Sequence, residues 1–197
     1  NGINLYLILF IVLYWFIRRS EHTLLLFAAA LGCWTLRNYL YLQVHALPVD
    51  DALHDFIQRQ LLCGVFAFLW VFSMRFVGAR SRIVDVSAAT LLIAPCLLEW
   101  VIPEAFMHAY RSMVYLFAGG MGLMVSVLLG QKAMASRKVD HWLVFMAAAF
   151  VVLVSVYDFG VSRNLFGFTA PFALQYAALP MFIIMGWAML KSLIDSM

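Results

Sequence analysis

Seven apolar runs, near residues 2–17, 22–43, 53–77, 83–102, 106–130, 141–162 and 170–192, follow one another with only short polar breaks between them. An α-helix needs about 20 mostly apolar residues to cross a hydrocarbon core roughly 30 Å thick, and runs of this kind read as such helices. Soluble chains are about half apolar and a quarter charged. This one is 65% hydrophobic and 12% charged, with a mean hydropathy of +0.94. The expected fold is therefore an all-α membrane protein, a seven-transmembrane helix bundle occupying 1–197 as a single unit. Seven spans use up the 197 residues and leave no room for a soluble catalytic domain.

Charge orients the bundle. "RRSEH" after the first run, "RFVGARSR" after the third, "QKAMASRKVD" after the fifth and Lys191 near the end of the seventh hold nine of the thirteen Lys and Arg residues. The alternate breaks carry Asp50, Asp51 and Glu104, with Arg163 their one cation. The positive-inside rule then puts the N-terminus outside and the C-terminus in the cytoplasm. The first run is not read as a signal peptide, because Arg18 and Arg19 follow it instead of preceding it.

Punctuation inside the runs is informative. Pro95 and Pro180 fall within the fourth and seventh runs, where each removes a backbone donor and bends its helix. "AGGMG", Ala118 to Gly122, places small residues where another helix can approach closely, from the same chain or from a second copy. Cys33, Cys63 and Cys96 lie in apolar runs without metal-ligand spacing and read as small core residues.

With this orientation, polar residues from several runs fall at one depth near the outer side. They are Arg37 and Asn38 in the second run, Asp55, Gln58 and Arg59 in the third, Glu99 in the fourth, Arg111 in the fifth, Tyr157 and Asp158 in the sixth, and Gln175 in the seventh. A charge inside a span costs several kcal/mol unless it pairs, snorkels or meets water, so this layer should face the bundle interior. Two readings follow. Arg37, Arg59 and Arg111 pair with Asp55, Glu99 and Asp158 as a register lock, with Asp55 and Arg59 already at i, i+4 spacing. Alternatively the layer lines an outward pocket, roofed by Trp34, Tyr41, Trp100, Tyr110, Tyr115 and Tyr176, that binds a small polar or anionic ligand. Toward the inner side, Asp85 reaches water or Arg82 and receives no functional role.

Other chemistries lack their residues. Retinal needs a Schiff-base lysine deep in the last span, whereas Lys191 lies at its inner end. Zinc needs converging ligands, and the five histidines are scattered over both ends of the runs. No phosphate loop, nucleophile elbow or catalytic triad is present. Catalysis, cofactors, metals and nucleic acid are not expected.

The stretches "LYLILFIVLYWFIRRSEHTLLLFAAALGCWTLRNYLYL" and "VYDFGVSRNLFGFTAPFALQYAALPMFIIMGWAMLKSL" carry a resemblance. The first is a span ending in paired arginines before an aromatic-rich second span. The second sets an acidic residue near the end of span six before a short outer loop and a long span seven. In these features the chain resembles the bacterial seven-transmembrane receptors with diverse intracellular signalling modules, over essentially its whole length. The resemblance implies an inner-membrane sensory module, with a histidine kinase, diguanylate cyclase or other output domain after the seventh helix and, in many members, a periplasmic domain before the first. A start at Asn1 and the ending "KSLIDSM" fit a module taken from a longer chain. Membrane lipid and a second copy, forming a homodimer, are the expected partners. A small-solute transporter and a structural anchor are the alternative readings.

Overall fold

A computed structural model describes residues 22–42, 50–162 and 174–194. The run at 2–17, the charges Arg18, Arg19 and Arg163, and the side chains of Tyr41, Gln175 and Tyr176 lie outside the described residues. Six helices are described: α1 (His22–Leu42), α2 (Asp51–Phe76), α3 (Arg82–Leu98), α4 (Glu104–Ser136), α5 (Val139–Ser162) and α6 (Leu174–Ile194). Among the described residues there is no strand. The helices lie on six of the seven apolar runs, and α4 continues beyond its run to Ser136.

Among the described residues three helices are long and apolar enough to cross a membrane: Ala52–Phe76, Ala105–Ser136 and Val139–Val161. The last two of these carry exposed Phe117, Leu123, Val127, Phe150, Leu153 and Val156. In water exposed apolar side chains in such number are an aggregation liability; against acyl chains they are solvated. With 33 residues, α4 is about 50 Å long at 1.5 Å per residue. That exceeds a hydrocarbon core of about 30 Å, so the helix tilts or extends past it.

The chain divides into two compact units, Asn1–Arg75 with Arg80–Ala118, and Phe76–Ala79 with Gly119–Met197. In the first unit α1 buries Leu24, Phe27, Leu31 and Trp34, a 3–4-residue spacing that forms one stripe along a helix. Phe27 meets Phe72 of α2 with ring centroids 4.9 Å apart. Two buried hydroxyls of this unit bond within their own helices: Thr35 Oγ1 donates to the Leu31 carbonyl at 2.7 Å and Ser73 Oγ to that of Leu69 at 2.8 Å. This satisfies a polar atom without water. On α3, Val84, Ala88, Leu91 and Pro95 form the buried edge.

Close approach of α1 and α2 depends on Gly64, where an added Cβ would stand 3.0 Å from Cys33 Sγ. Gly64→Ala is therefore expected to cost about 1–3 kcal/mol as an overpacking change. Cys33→Ala in the same chain should restore most of that loss, because it removes the obstructing sulfur. Reversible unfolding of the two single variants and the double variant in mixed micelles measures both effects.

After α2 the chain reverses at Gly78, whose φ of 69° is left-handed and open to glycine without steric penalty. Across this turn Arg75 Nη2 donates to Asp85 Oδ2 at 2.9 Å. The Asp85 side chain is 41% exposed and so reaches water, one of the two partners the sequence suggests; its cation is Arg75 of α2, not Arg82. A neighbour on another helix displaces the nearer one in sequence.

In the second unit α4 buries Met121, Val125, Leu129 and Ala133. Gly130 admits the Phe145 ring of α5, which lies 3.1 Å from where a Cβ would sit. α5 and α6 pack along each other. Lys191 Nζ donates to Asp140 Oδ1 at 2.9 Å, and Ser136 Oγ lies 2.7 Å from His141 Nδ1.

Candidate functional site

Polar chemistry in the first unit gathers where α3 hands over to α4. Glu99 follows the last residue of α3, and its backbone N–H bonds to the Pro95 carbonyl at 3.3 Å. Five residues later α4 begins and runs back, placing Arg111 within its first two turns. α2 brings Arg59 to the same place from its own early turns. Each of these positions follows from short connections between antiparallel neighbours, which set the start of one helix beside the end of the previous one.

Glu99 is the hub. Arg59 Nη2 donates to its Oε1, and Arg111 Nη2 lies 3.6 Å from the same oxygen. That second distance is an ion pair without a hydrogen bond. The Arg59 and Glu99 side chains are 14% and 11% exposed, against 38% for Arg111. One carboxylate therefore serves two guanidiniums, and the trio carries a surplus positive charge. Arg59 Nε and Arg111 Nε are buried without a hydrogen-bond partner.

Around the trio lies a cleft with about 260 Å³ of empty space, its open side included. Gln60, Cys63, Pro95, Tyr110, Val114 and Tyr115 complete its lining. Its enclosed part is about the size of one water molecule. Tyr110 OH donates to the Pro95 carbonyl at 3.1 Å, and Cys96 Sγ donates to Gln60 Oε1 at 3.1 Å. Gln60 Nε2 is buried with no partner.

Within the first unit, Arg37, Asn38 and Asp55 are not among the residues that line this cleft. Arg37 is half-buried on α1, its guanidinium 5.5 Å from the centroid of the Trp34 ring, within cation–π range. Its backbone carbonyl accepts Gln58 Nε2 at 3.1 Å, tying α1 to α2. Asn38 is half-buried and Asp55 exposed. Arg59 bonds across to Glu99, not along its own helix to Asp55. Tyr157 and Asp158 are half-buried on α5 in the second unit, and the Gln175 side chain is outside the described residues. Of the expected aromatic roof, Tyr110 and Tyr115 line the cleft. Trp34 is buried, and Trp100 is largely exposed with its ring edge-on to Phe56.

Residue-by-residue reading missed Gln60, Cys63, Cys96 and the Pro95 carbonyl. Their signal was helical spacing: Arg59 with Cys63, and Pro95 with Glu99, are i, i+4 pairs, so each pair shares a face. Among the described residues no group of three or more His, Cys, Asp or Glu is placed to hold a metal ion. Compared with family models, curated proteins and solved structures, the chain matches none.

Proposed function

We propose that the chain is the sensory module of a bacterial inner-membrane receptor. In this reading it is a seven-helix bundle with its N-terminus outside and its C-terminus cytoplasmic, paired as a homodimer and coupled to a cytoplasmic output domain. The observation that carries the reading is the sharing of Glu99 by Arg59 of α2 and Arg111 of α4. A carboxylate held between two cations on different helices has two discrete arrangements, and a signal that favours one can move helix against helix.

The depth of the charged groups supports a membrane-spanning arrangement. Arg59 and Arg75 are sixteen positions apart on α2, about 24 Å at 1.5 Å per residue. Asp85 and Glu99 are fourteen apart on and just beyond α3, about 21 Å by the same rise. Two ion-paired layers at that separation, with "LLCGVFAFLWVFSM" between them on α2, suit the two boundaries of a hydrocarbon core about 30 Å thick. The basic residues gather at the Arg75 end, which is the cytoplasmic one by the positive-inside rule.

A cyclase reporter joined after Met197 tests the switch. Arg111→Gln and Glu99→Gln are expected to change basal output by roughly fivefold or more, at unchanged levels of inserted protein. Unchanged output in both variants would overturn the reading. A fluorescent protein at the C-terminus should be bright and alkaline phosphatase at the same point inactive; the reverse pattern refutes the orientation. Saturable solute uptake into proteoliposomes would replace the receptor with a transporter.

A further inference from the structure

The cleft at Glu99 holds more hydrogen-bond donors than acceptors. Two guanidiniums and the Gln60 amide supply the donors, while the one anionic acceptor is the Glu99 carboxylate. Three of those donor atoms, Arg59 Nε, Arg111 Nε and Gln60 Nε2, are buried and unpartnered. Buried polar groups are normally paired, and each exception calls for a reason. An uncompensated guanidinium is especially unfavourable beside hydrocarbon. What the cleft lacks is an acceptor with one negative charge.

We propose that this cleft binds a small monocarboxylate, with Arg111 as its anchor. Arg111 is not hydrogen-bonded to Glu99 and is the most exposed member of the trio, so its planar fork can turn to a ligand carboxylate without breaking the Arg59–Glu99 hydrogen bond. A planar guanidinium matches a carboxylate bidentately. One surplus positive charge suits a monoanion better than a dianion. The walls, Pro95, Val114, Tyr110 and Tyr115, are apolar or aromatic and fit a short hydrocarbon or aromatic body.

Size limits the ligand further. The 260 Å³ of empty space includes the open mouth, and the enclosed part holds about one water molecule, so the body of a ligand would lie in the mouth. Because the enclosed part is only water-sized, entry requires Arg111 to swing outward, and its return over the ligand is the movement a signal would use. The inference deepens the sensory reading and rests on it for the effect on output, but binding itself is measurable alone.

Equilibrium dialysis of the chain in phosphatidylcholine nanodiscs against radiolabelled benzoate tests the site. Saturable binding is expected, competed by propionate and indifferent to sodium chloride at matched ionic strength. Arg111→Gln should weaken binding at least tenfold. Arg111→Lys keeps the charge without the fork and should fall between. Glu99→Gln should tighten binding severalfold, because it removes the competing carboxylate while a polar acceptor remains for Arg59. A merely structural Glu99 would not produce that gain.

Absence of saturable binding in both the wild-type chain and Glu99→Gln overturns the proposal. So does equal competition by chloride, or unaltered binding in folded Arg111→Gln. If neither Arg111 variant folds, the direction of the Glu99→Gln change decides. Competition by phosphatidylserine in the nanodisc assigns the carboxylate to a lipid headgroup, and its failure to compete assigns it to a free solute; both uphold the site. Benzoate binding without any change in reporter output would preserve the site and remove the sensory reading. Output that responds to Glu99→Gln while no carboxylate binds would do the opposite.

Discussion

Glu99→Leu is expected to destabilise the chain by about 3–5 kcal/mol, because breaking a buried ion pair from one side leaves the other charge uncompensated. Here two charges are left, Arg59 at 14% exposure and Arg111 at 38%. Arg59→Leu should cost less, about 1–3 kcal/mol, since Glu99 keeps Arg111 at 3.6 Å. The more exposed position of Arg111 lets solvent screen its part of the loss. The double variant Arg59→Leu/Glu99→Leu should be more stable than Glu99→Leu alone, as a packed apolar pair removes both desolvation costs. Reversible unfolding in mixed micelles, analysed as a double-mutant cycle, measures the coupling. Strict additivity of the two single losses would show that the pair contributes nothing as a pair.

Phe72→Ala is expected to cost about 3–5 kcal/mol, the range for deleting a large buried aromatic side chain. Phe72 and Phe27 are both fully buried, with rings 4.9 Å apart between α2 and α1. Between helices in lipid the gain comes mainly from packing, because acyl chains are as apolar as the side chains they replace. Cavity formation thus accounts for most of the expected loss. Phe72→Leu, which keeps much of the volume, should cost under about 1.5 kcal/mol. Similar small losses for both variants in the same unfolding assay would show that the Phe27–Phe72 contact is not a tight one.

The helical class was legible because the polar breaks are short and the apolar runs long. α2, α4 and α5 could be read from their runs to within a few residues at most ends. The last turns of α4 could not, because "QKAMAS" is polar yet continues the helix to Ser136. Helix propagation needs only adequate propensity, and Gln, Lys, Ala and Met all supply it. The chain instead turns at Arg137, with a left-handed φ of 54°.

Within the site, counting along successive helices in alternating directions grouped Arg59, Glu99 and Arg111, and the structure brings these three together. Which charge meets which was not legible: Asp55 had the favourable i, i+4 spacing to Arg59, yet Arg59 bonds to Glu99. An i, i+4 pair of exposed groups contributes only about 0.2–0.5 kcal/mol, too little to hold Arg59 against a half-buried carboxylate on a neighbouring helix. Arg37 makes contacts that spacing did not show: its guanidinium lies over Trp34 of its own helix and its carbonyl accepts Gln58.

By itself the sequence determined the helical character of this chain and the apolar length of helices that suit a membrane. Both depend on composition and one-dimensional spacing. Only the tertiary structure decided that Glu99 is shared by two arginines, that Asp85 belongs to Arg75, and that Gln60, Cys96 and the Pro95 carbonyl join the cleft. Those choices depend on the rotation of each helix about its axis and on where side chains from separate helices compete for the same partner. Spacing along one helix places a residue on a face, but packing between helices selects its neighbour.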